Sequence, residues 1–543
     1  MIFGETPLDQ AEAAILAHSL RRDAISFKKG RVLSAEDVAR LAAAGVERVV
    51  AARLEPGDVH EDEAAGTLAA ALTGEHLTAS AAFTGRCNLL VQARGLLLVD
   101  HGQLDQLNLV DEAVTVATLP PFQPVEPRQM AATIKIIPFA VPGPVLERCL
   151  DIARGNGPLV QVRPFRRQRV GLVQTHLPGM KESLLDKTKE AIDGRLAALD
   201  CAPALERRCA HDSQAVALAI ADLQAETCDI LLISGASAIV DRRDVVPAGI
   251  VAAGGAIDHF GMPVDPGNLI LLGRVAERPV IGLPGCARSP KLNGFDWVLQ
   301  RLVADLPIAK EDVMRMGAGG LLKEIASRPL PRARAVEAAG LAPALAPRIA
   351  ALVLAAGRST RMGAANKLLA QVDGQPMVRR VVETLRRSQA GPIVVVTGHQ
   401  RAKVEAALAN QDVTLVHNPD FAHGLSTSLH RGLGALPAAL DGVVVCLGDM
   451  PRIGAPVIDK LIAAFDPLEG RAICLPTWQG KRGNPVLFAR RFFAEMQAIS
   501  GDVGAKALIG DYPELVAEVP VPEDSVLFDV DTPEALASLK PAS

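Results

Sequence analysis

The segment Leu354-Ala-Ala-Gly-Arg-Ser-Thr-Arg-Met-Gly-Ala-Ala-Asn-Lys367 gathers two glycines and three cationic side chains directly behind an apolar run. Gly357 and Gly363 let a loop backbone come close to an anion, and successive amides in such a loop form a nest for phosphate oxygens. Arg361 can grip a phosphate through two parallel hydrogen bonds, while Lys367 adds a mobile point charge. The Gly-Lys-Ser/Thr of a Walker A loop is absent. Further along, Val443-Val-Val-Cys-Leu-Gly-Asp449-Met-Pro451 ends an apolar run in a carboxylate. Mg²⁺ is commonly held by one or two carboxylates plus substrate phosphates, and an acid at the carboxyl end of a strand suits that role. Downstream, Leu527-Phe-Asp529-Val-Asp531-Thr-Pro533 sets two acids two residues apart, which places both on one face of an extended segment. Taken singly, the loop reads equally well as a strand-to-helix turn with solvated basic residues, and each acid as a cap or turn residue. Together they describe a metal–triphosphate site.

A second small-residue loop, Ile233-Ser-Gly-Ala-Ser-Ala-Ile-Val-Asp-Arg-Arg-Asp244-Val-Val-Pro247, also follows an apolar run. Its Gly235 and Ser237 could admit an anionic ligand at a sheet edge. Gly261-Met-Pro-Val-Asp-Pro-Gly-Asn268 and Gly282-Leu-Pro-Gly285 add turns at the same end.

For such loops to converge, strands must end where the loops begin, and the sequence between them alternates accordingly. Apolar runs at 170–173 and 229–234 and an extended stretch at 268–273 are interleaved with helical patterns at 181–199, 211–225 and 246–253. The later part repeats this logic. Strands are expected at 351–355, 392–397, 413–417 and 442–447, and helices at 378–388, 401–410 and 427–436. The fold class read from this pattern is α/β: two doubly wound parallel-sheet domains, with ligands expected at the carboxyl ends of the strands. Residues 326–348, ASRPLPRARAVEAAGLAPALAPR, form a Pro/Ala-rich linker, with little capacity for a core. A softer boundary falls near 165, before RPFRRQR gives way to an apolar strand. The expected units are therefore 1–165, 166–325, the linker 326–348, and 349–543. Residues 1–165 read as a less regular α+β region, helix-like over 8–20, strand-rich over 89–100, with the run Ile134-Lys-Ile-Ile-Pro-Phe.

At 543 residues the chain is long enough for about three or four domains. Hydrophobic residues at 49% and charged residues at 22% exclude global disorder. A formal net charge of −4 advertises neither a nucleic-acid nor an anionic-membrane partner, and two Trp with one Tyr offer few stacking platforms for single strands. The eight cysteines contain no C-x-x-C pair, so neither a zinc ribbon nor a disulfide framework is expected. Met1 is followed by no basic and long apolar leader pattern, and the expected compartment is the cytoplasm.

Residues from about 349 to 543 resemble the molybdenum cofactor cytidylyltransferases, within the nucleotidyltransferase group that includes their guanylyltransferase counterparts. The resemblance rests on LAAGRSTRMGAANK, Asn418-Pro followed by Gly424-Leu-Ser-Thr-Ser-Leu429, LGDMP, Gly480-Lys-Arg-Gly-Asn-Pro-Val486, Gly501-Asp-Val-Gly-Ala505 and FDVDTPEAL. It implies that Gly357, Ser359 and Arg361 hold nucleotide phosphates with Lys367 stabilising charge. Asp449 and Asp531 carry Mg²⁺ in this reading, with Asp529 as the substitute for Asp531. Ser426 and Ser428 fall near nucleoside or acceptor, and 482–484, including Asn484, near the acceptor. Ala356 stands where the guanylyl branch has glycine, which favours CTP. His417 and His430 are read as structural.

The order of turns in 166–310 resembles the molybdopterin-binding domain of molybdopterin adenylyltransferases and molybdenumtransferases. That family's Gly-Gly-Thr/Ser-Gly loop is reduced here to Gly235-Ala236-Ser237-Ala238, a change easier to reconcile with pterin binding than with adenylation or molybdate insertion. Asp244 matches the family's loop carboxylate and Asp212 a second functional acid, though both acids could instead cap helices. Residues 1–165 have a diffuse likeness to molybdenumtransferase accessory regions. The resemblances imply CMP transfer from CTP to molybdopterin with release of pyrophosphate. Small-molecule substrates are the expected partners, with a recipient molybdoenzyme or its chaperone as a macromolecular one. Guanylyl transfer, cytidylyl transfer to a sugar or polyol phosphate, and a non-catalytic cofactor carrier are the alternatives.

Overall fold

All seven residues of the strand Ile349–Ala355 are buried. A strand covered on both faces needs no polar alternation, which is why this one reads as a continuous apolar run. It forms the centre of an eight-stranded mixed sheet. Ile393–Thr397 flanks it on one side and Gly442–Leu447 on the other, both parallel. Thr414–His417 extends the parallel run beyond Ile393–Thr397, while Val486–Ala489 joins Gly442–Leu447 antiparallel. Ile473–Trp478 pairs antiparallel with Val486–Ala489 and parallel with Val516–Pro520. Met377–Arg386 buries its Met377, Val378, Val381, Val382 and Leu385 side, the 3.6-residue spacing of a surface helix. One hydrophobic cluster spans this half from Ile349 to Val526.

The computed structural model describes the chain apart from residues 23–24, 156, 266, 322–345, 359–365, 500, 502–504, 531–534, 537–538 and 540–543. Most of the expected linker thus lies outside the described residues.

The middle part contains a six-stranded sheet in the order Leu205–Ala210, Val170–His176, Ile230–Ser234, Arg278–Gly282, Asn268–Val275, Gly255–Met262. The first four strands are parallel and the last two antiparallel. Separate hydrophobic clusters cover its two faces. Glu182–Ala197 and Gly294–Val303 contribute to one, and Ser213–Ala225 and Val245–Ala252 to the other. This is the α/β layering expected from the alternating pattern.

Residues 1–165 combine helices with small antiparallel sheets around two cores. One cluster runs from Leu8 to Ala51 and the other from Ala64 to Val162. The helix expected over 8–20 is not formed. Leu8–Gln10 makes a 3-10 turn, Ala13 adopts a left-handed φ of 61°, and Ile15–Leu16 pairs with the strand Arg48–Arg53. Ala11, Ala14, Ile15, Leu16 and Ala17 are all buried. Residues 14–17 are buried one after another, which leaves no amphipathic stripe of the kind a surface helix requires, and tertiary pairing overrides the Ala/Leu propensity. Among the described residues, no helix is long and apolar enough to cross a membrane.

Candidate active site

Register fixes where the C-terminal loops emerge. Leu354 lies opposite Val396 on one side and Leu447 on the other, so the segments after residues 355, 397 and 447 leave the sheet at one edge. Two backbone bonds tie them together. Gly448 N donates to the Leu354 carbonyl at 3.1 Å and His399 N to the Ala356 carbonyl at 3.1 Å. Asp449 thereby stands beside the start of the glycine-rich loop, and the short 3-10 helix Lys367–Leu369 closes that loop on the same side.

Asp449 Oδ2 is ion-paired with Lys367 Nζ, and the two side chains are only 12% and 14% exposed. Its Oδ1 is buried without a hydrogen-bond partner. Burial raises this carboxyl above the ordinary carboxylate range, Lys367 pulls it back down, and the charge of Asp529 raises it again. An orphaned carboxylate oxygen at a strand end is costly to keep without a partner and is the donor a hard divalent cation takes. The donor chemistry therefore fits a divalent cation such as Mg²⁺, which Asp449 would hold. Among the described residues, none has an atom within 4 Å of where a Cβ on Gly357 would sit. Asp529 is exposed, and its neighbour Val530 donates its amide to the Asp449 carbonyl at 3.1 Å. That bond brings the Asp529 segment to Asp449. Arg361, Ser359, Gly363 and Asp531 lie outside the described residues.

Other expected residues divide. Ala356 is buried, and its methyl packs against Gly398, where any Cβ would come within 2.8 Å of Ala356 Cβ. It thus packs where the glycine-rich loop meets the turn at Gly398. Ser428 is buried and accepts from Asn418 Nδ2 at 3.0 Å, while Ser426 is buried with its amide donating to Gly501 O at 3.3 Å. Asn418 also donates to Thr427 Oγ1 and accepts from Asp420 N. These serines are built into the start of the helix Leu425–Gly434. Asn484 is partly buried and its amide donates to Val526 O at 2.9 Å. Neighbouring Arg482 is paired with Glu518 at 2.9 Å. His417 Nδ1 and His430 Nε2 are buried without partners. Asn366, in the same glycine-rich segment, presents a buried Nδ2 without a hydrogen-bond partner next to Lys367.

In the middle domain, strand ends at 176, 210, 234 and 282 share one edge through their register. Gly235 is required sterically, since a Cβ would meet Ser237 O at 2.8 Å and Val246 Cγ2 at 3.2 Å. Ser237 Oγ is 2.9 Å from His211 Nε2, and His211 Nδ1 is 2.8 Å from Thr175 Oγ1. Thr175 Oγ1 in turn accepts from Ala236 N at 2.7 Å, and Arg288 donates to Gly235 O at 2.6 Å. His211, Thr175 and Arg288 were not visible as a group in sequence, because their spacing of 36 and 77 residues carries no motif. Asp212 and Asp244 both serve as helix caps. Asp212 accepts from Gln214 N and Ala215 N, each at 3.0 Å, and Asp244 from Val245 N at 2.9 Å and Val240 N at 3.2 Å.

Comparison with known proteins matches residues 351–516 to the MobA-like NTP transferase domain family, and residues 5–53 to a domain of unknown function, DUF8806. The Escherichia coli K12 molybdenum cofactor cytidylyltransferase is 27% identical over 194 residues, covering 35% of this chain and 94% of that protein. Nicotine blue oxidoreductase of Paenarthrobacter nicotinovorans is 26% identical over 198 residues, covering 36% of this chain and 97% of that protein. Among solved structures, Rv0371c of Mycobacterium tuberculosis H37Rv is 28% identical, covers 36% of this chain and 98% of that one, and has a TM-score of 0.32. The C-terminal part of the chain thus carries a nucleotidyltransferase domain of the MobA-like type.

Proposed function

We propose that residues 349–543 transfer CMP from CTP to the terminal phosphate of molybdopterin, and that residues 166–325 bind the pterin. Residues 1–165 would then be an accessory region and 326–348 a linker. The single observation that carries the transfer is the buried Asp449–Lys367 pair with an orphaned Asp449 Oδ1 at the strand edge. It lies inside a domain similar over nearly its whole length to a molybdenum cofactor cytidylyltransferase.

In this reading the acceptor phosphate oxygen bonds to the α-phosphorus of CTP as the α–β bridging P–O bond breaks, and pyrophosphate leaves with the bonding pair. Mg²⁺, held by Asp449 and Asp531, supplies charge neutralisation on the triphosphate. Lys367 adds positive charge close to Asp449, and the amides around Gly357 approach the phosphates, with Ser359, Arg361 and Gly363 completing the cradle. No nucleophilic side chain is needed, so the protein acts by positioning and by stabilising charge. Gly235 and Ser237 would form the anion-facing part of the pterin site, and Asn484 the acceptor side of the transfer site. The decisive experiment incubates purified protein with molybdopterin and each NTP and identifies products by mass spectrometry. A cytidylyl-pterin product is expected. A guanylyl product, or CMP transfer only to a sugar or polyol phosphate, refutes the reading.

A further inference from the structure

Away from both strand-end sites, the region around Leu98–Val99 and Phe122 faces the helices Gly294–Val303 and Lys310–Met314 across a cavity of about 1220 Å³. That volume is ample for a nucleotide-sized ligand. Arg301, on its wall, stacks its guanidinium 3.8 Å from the centroid of the Phe122 ring. The Arg301 Nε is buried and has no hydrogen-bond partner. The Nε itself is shut away from the cavity, so what Arg301 can offer a ligand there is the terminal guanidinium donors.

Phe122 supplies a second, independent signal. Its φ is +57°, a left-handed conformation that is a genuine outlier for a bulky side chain. Its amide nonetheless bonds Leu97 O at 2.6 Å, and the residue is 42% exposed. Strain of this kind persists only where surroundings over-determine it, and such positions concentrate at ligand clamps. Here it presents an aromatic ring that fixes the plane of the Arg301 guanidinium.

The remaining wall chemistry points the same way. Trp297, one of only two tryptophans in the chain, lines the cavity, and so does Arg315. The acids at the cavity are occupied. Asp100 caps the helix His101–Asn108 by accepting from Gln103 N at 2.9 Å, and Asp312 accepts from Ala309 N at 2.8 Å. Asp312 acts on Arg301 through space, but no carboxylate bonds the Arg301 Nε.

We propose that this cavity is a separate binding site for a planar heteroaromatic monophosphate, its ring stacked on Trp297 and its phosphate held by Arg301 and Arg315. Arg301, pre-oriented by Phe122, donates edge-on to the phosphate, and the tryptophan face accepts the ring.

The test uses the full chain carrying Trp478→Phe, which leaves Trp297 as the only tryptophan. Its emission is titrated with AMP, GMP and CMP, and in parallel with inorganic phosphate. Saturable quenching by at least one nucleotide is expected, weakened about tenfold or more by Arg301→Gln and severalfold by Arg315→Gln. Adding Asp449→Asn should leave the titration unchanged, which separates this site from the transfer site. Arg315 is exposed, so its variant decides the matter if Arg301→Gln does not fold. Absence of saturation at concentrations that would reveal a Kd of ~1 mM overturns the proposal. So do quenching indifferent to both arginine substitutions, equal affinity for inorganic phosphate alone, and loss of the signal in Asp449→Asn.

Discussion

Asp449→Asn is the sharpest perturbation of the transfer site. The choice of Asn over Ala follows from the structure. Lys367 is only 14% exposed and its ammonium pairs with Asp449 Oδ2. Alanine would remove the acid that Lys367 is paired with, and removing one partner of a buried pair costs ~3–5 kcal/mol, enough to confuse loss of function with loss of fold. Asparagine keeps an oxygen in reach of Lys367 and removes the burial penalty that raises the Asp449 carboxyl, so stability should move by only ~1 kcal/mol. Function should not survive so well. The orphaned Oδ1 loses the negative charge that would hold the divalent ion of the proposed mechanism. Deleting one electrostatic element of this kind typically costs ~10²–10³ in rate, and a metal ligand belongs at the upper end. A fall of about 10³ in kcat/KM, about 4 kcal/mol, is therefore expected. Pyrophosphate release from CTP with molybdopterin at saturating Mg²⁺ measures it, with a thermal melt run on the same preparation. Turnover within about threefold of the parent chain refutes the assignment. Asp531→Asn should match the loss, and inactivation by Asp529→Asn alone would transfer the role to that acid.

Three further outcomes are expected. The parent chain should favour CTP over GTP by at least about tenfold in kcat/KM, and Ala356→Gly should narrow that gap by loosening the contact with Gly398, since one methyl is worth only ~1–3 kcal/mol. Equal use of both nucleotides by the parent overturns the cytidylyl reading. Residues 346–543 alone should fold on their own core and bind CTP with unchanged KM. They should need more pterin, because the middle domain proposed to bind it is no longer tethered to them; a folded half without CTP binding shows a shared site. Burial pushes the Glu61 carboxyl up to about 7 from an ordinary 4.5, so the native state keeps a proton that the unfolded chain releases. Stability should fall as pH rises across that window and level off above it, and Glu61→Gln should flatten the slope in denaturant titrations at pH values spanning it.

What could be read from sequence follows from which elements are covered on both faces. Ile230–Ser234, Ile349–Ala355 and Ile393–Thr397 are wholly buried, so their apolar runs announced parallel strands without knowledge of partners. Leu205–Ala210, an edge strand reading LERRCA, is half solvated and carries three charges; nothing in its composition separates it from a loop. The stretch 8–20 misleads for the opposite reason, its Ala/Leu content being spent on burial under Arg48–Arg53. Asp449 could be found because a strand places it, whereas the Thr175–His211–Ser237 contact depends on three strand ends that only the sheet order brings together.

The two strand-end sites share an architecture and differ in what their side chains leave unsatisfied, and that difference assigns their roles. Beside the Gly235 loop, Asp212 Oδ1 accepts from two helix amides and Asp244 from one helix and one loop amide, while Ser237, His211 and Thr175 satisfy one another. This network of hydroxyl, imidazole and backbone contacts contains no buried carboxylate oxygen without a partner. Its exchangeable hydroxyl and imidazole contacts can be traded for those of a polar ligand at small cost, which suits binding and delivery. Beside the Gly357 loop the balance is reversed, since a buried acid keeps one oxygen unpaired and a lysine sits against the other. The unfolded chain would solvate both groups, so folding meets the cost of an electrostatic arrangement that only a cation and a phosphate chain can complete. This contrast supports the proposal that transfer takes place at the Gly357 edge, with the pterin KM as the readout of any contribution from the middle domain.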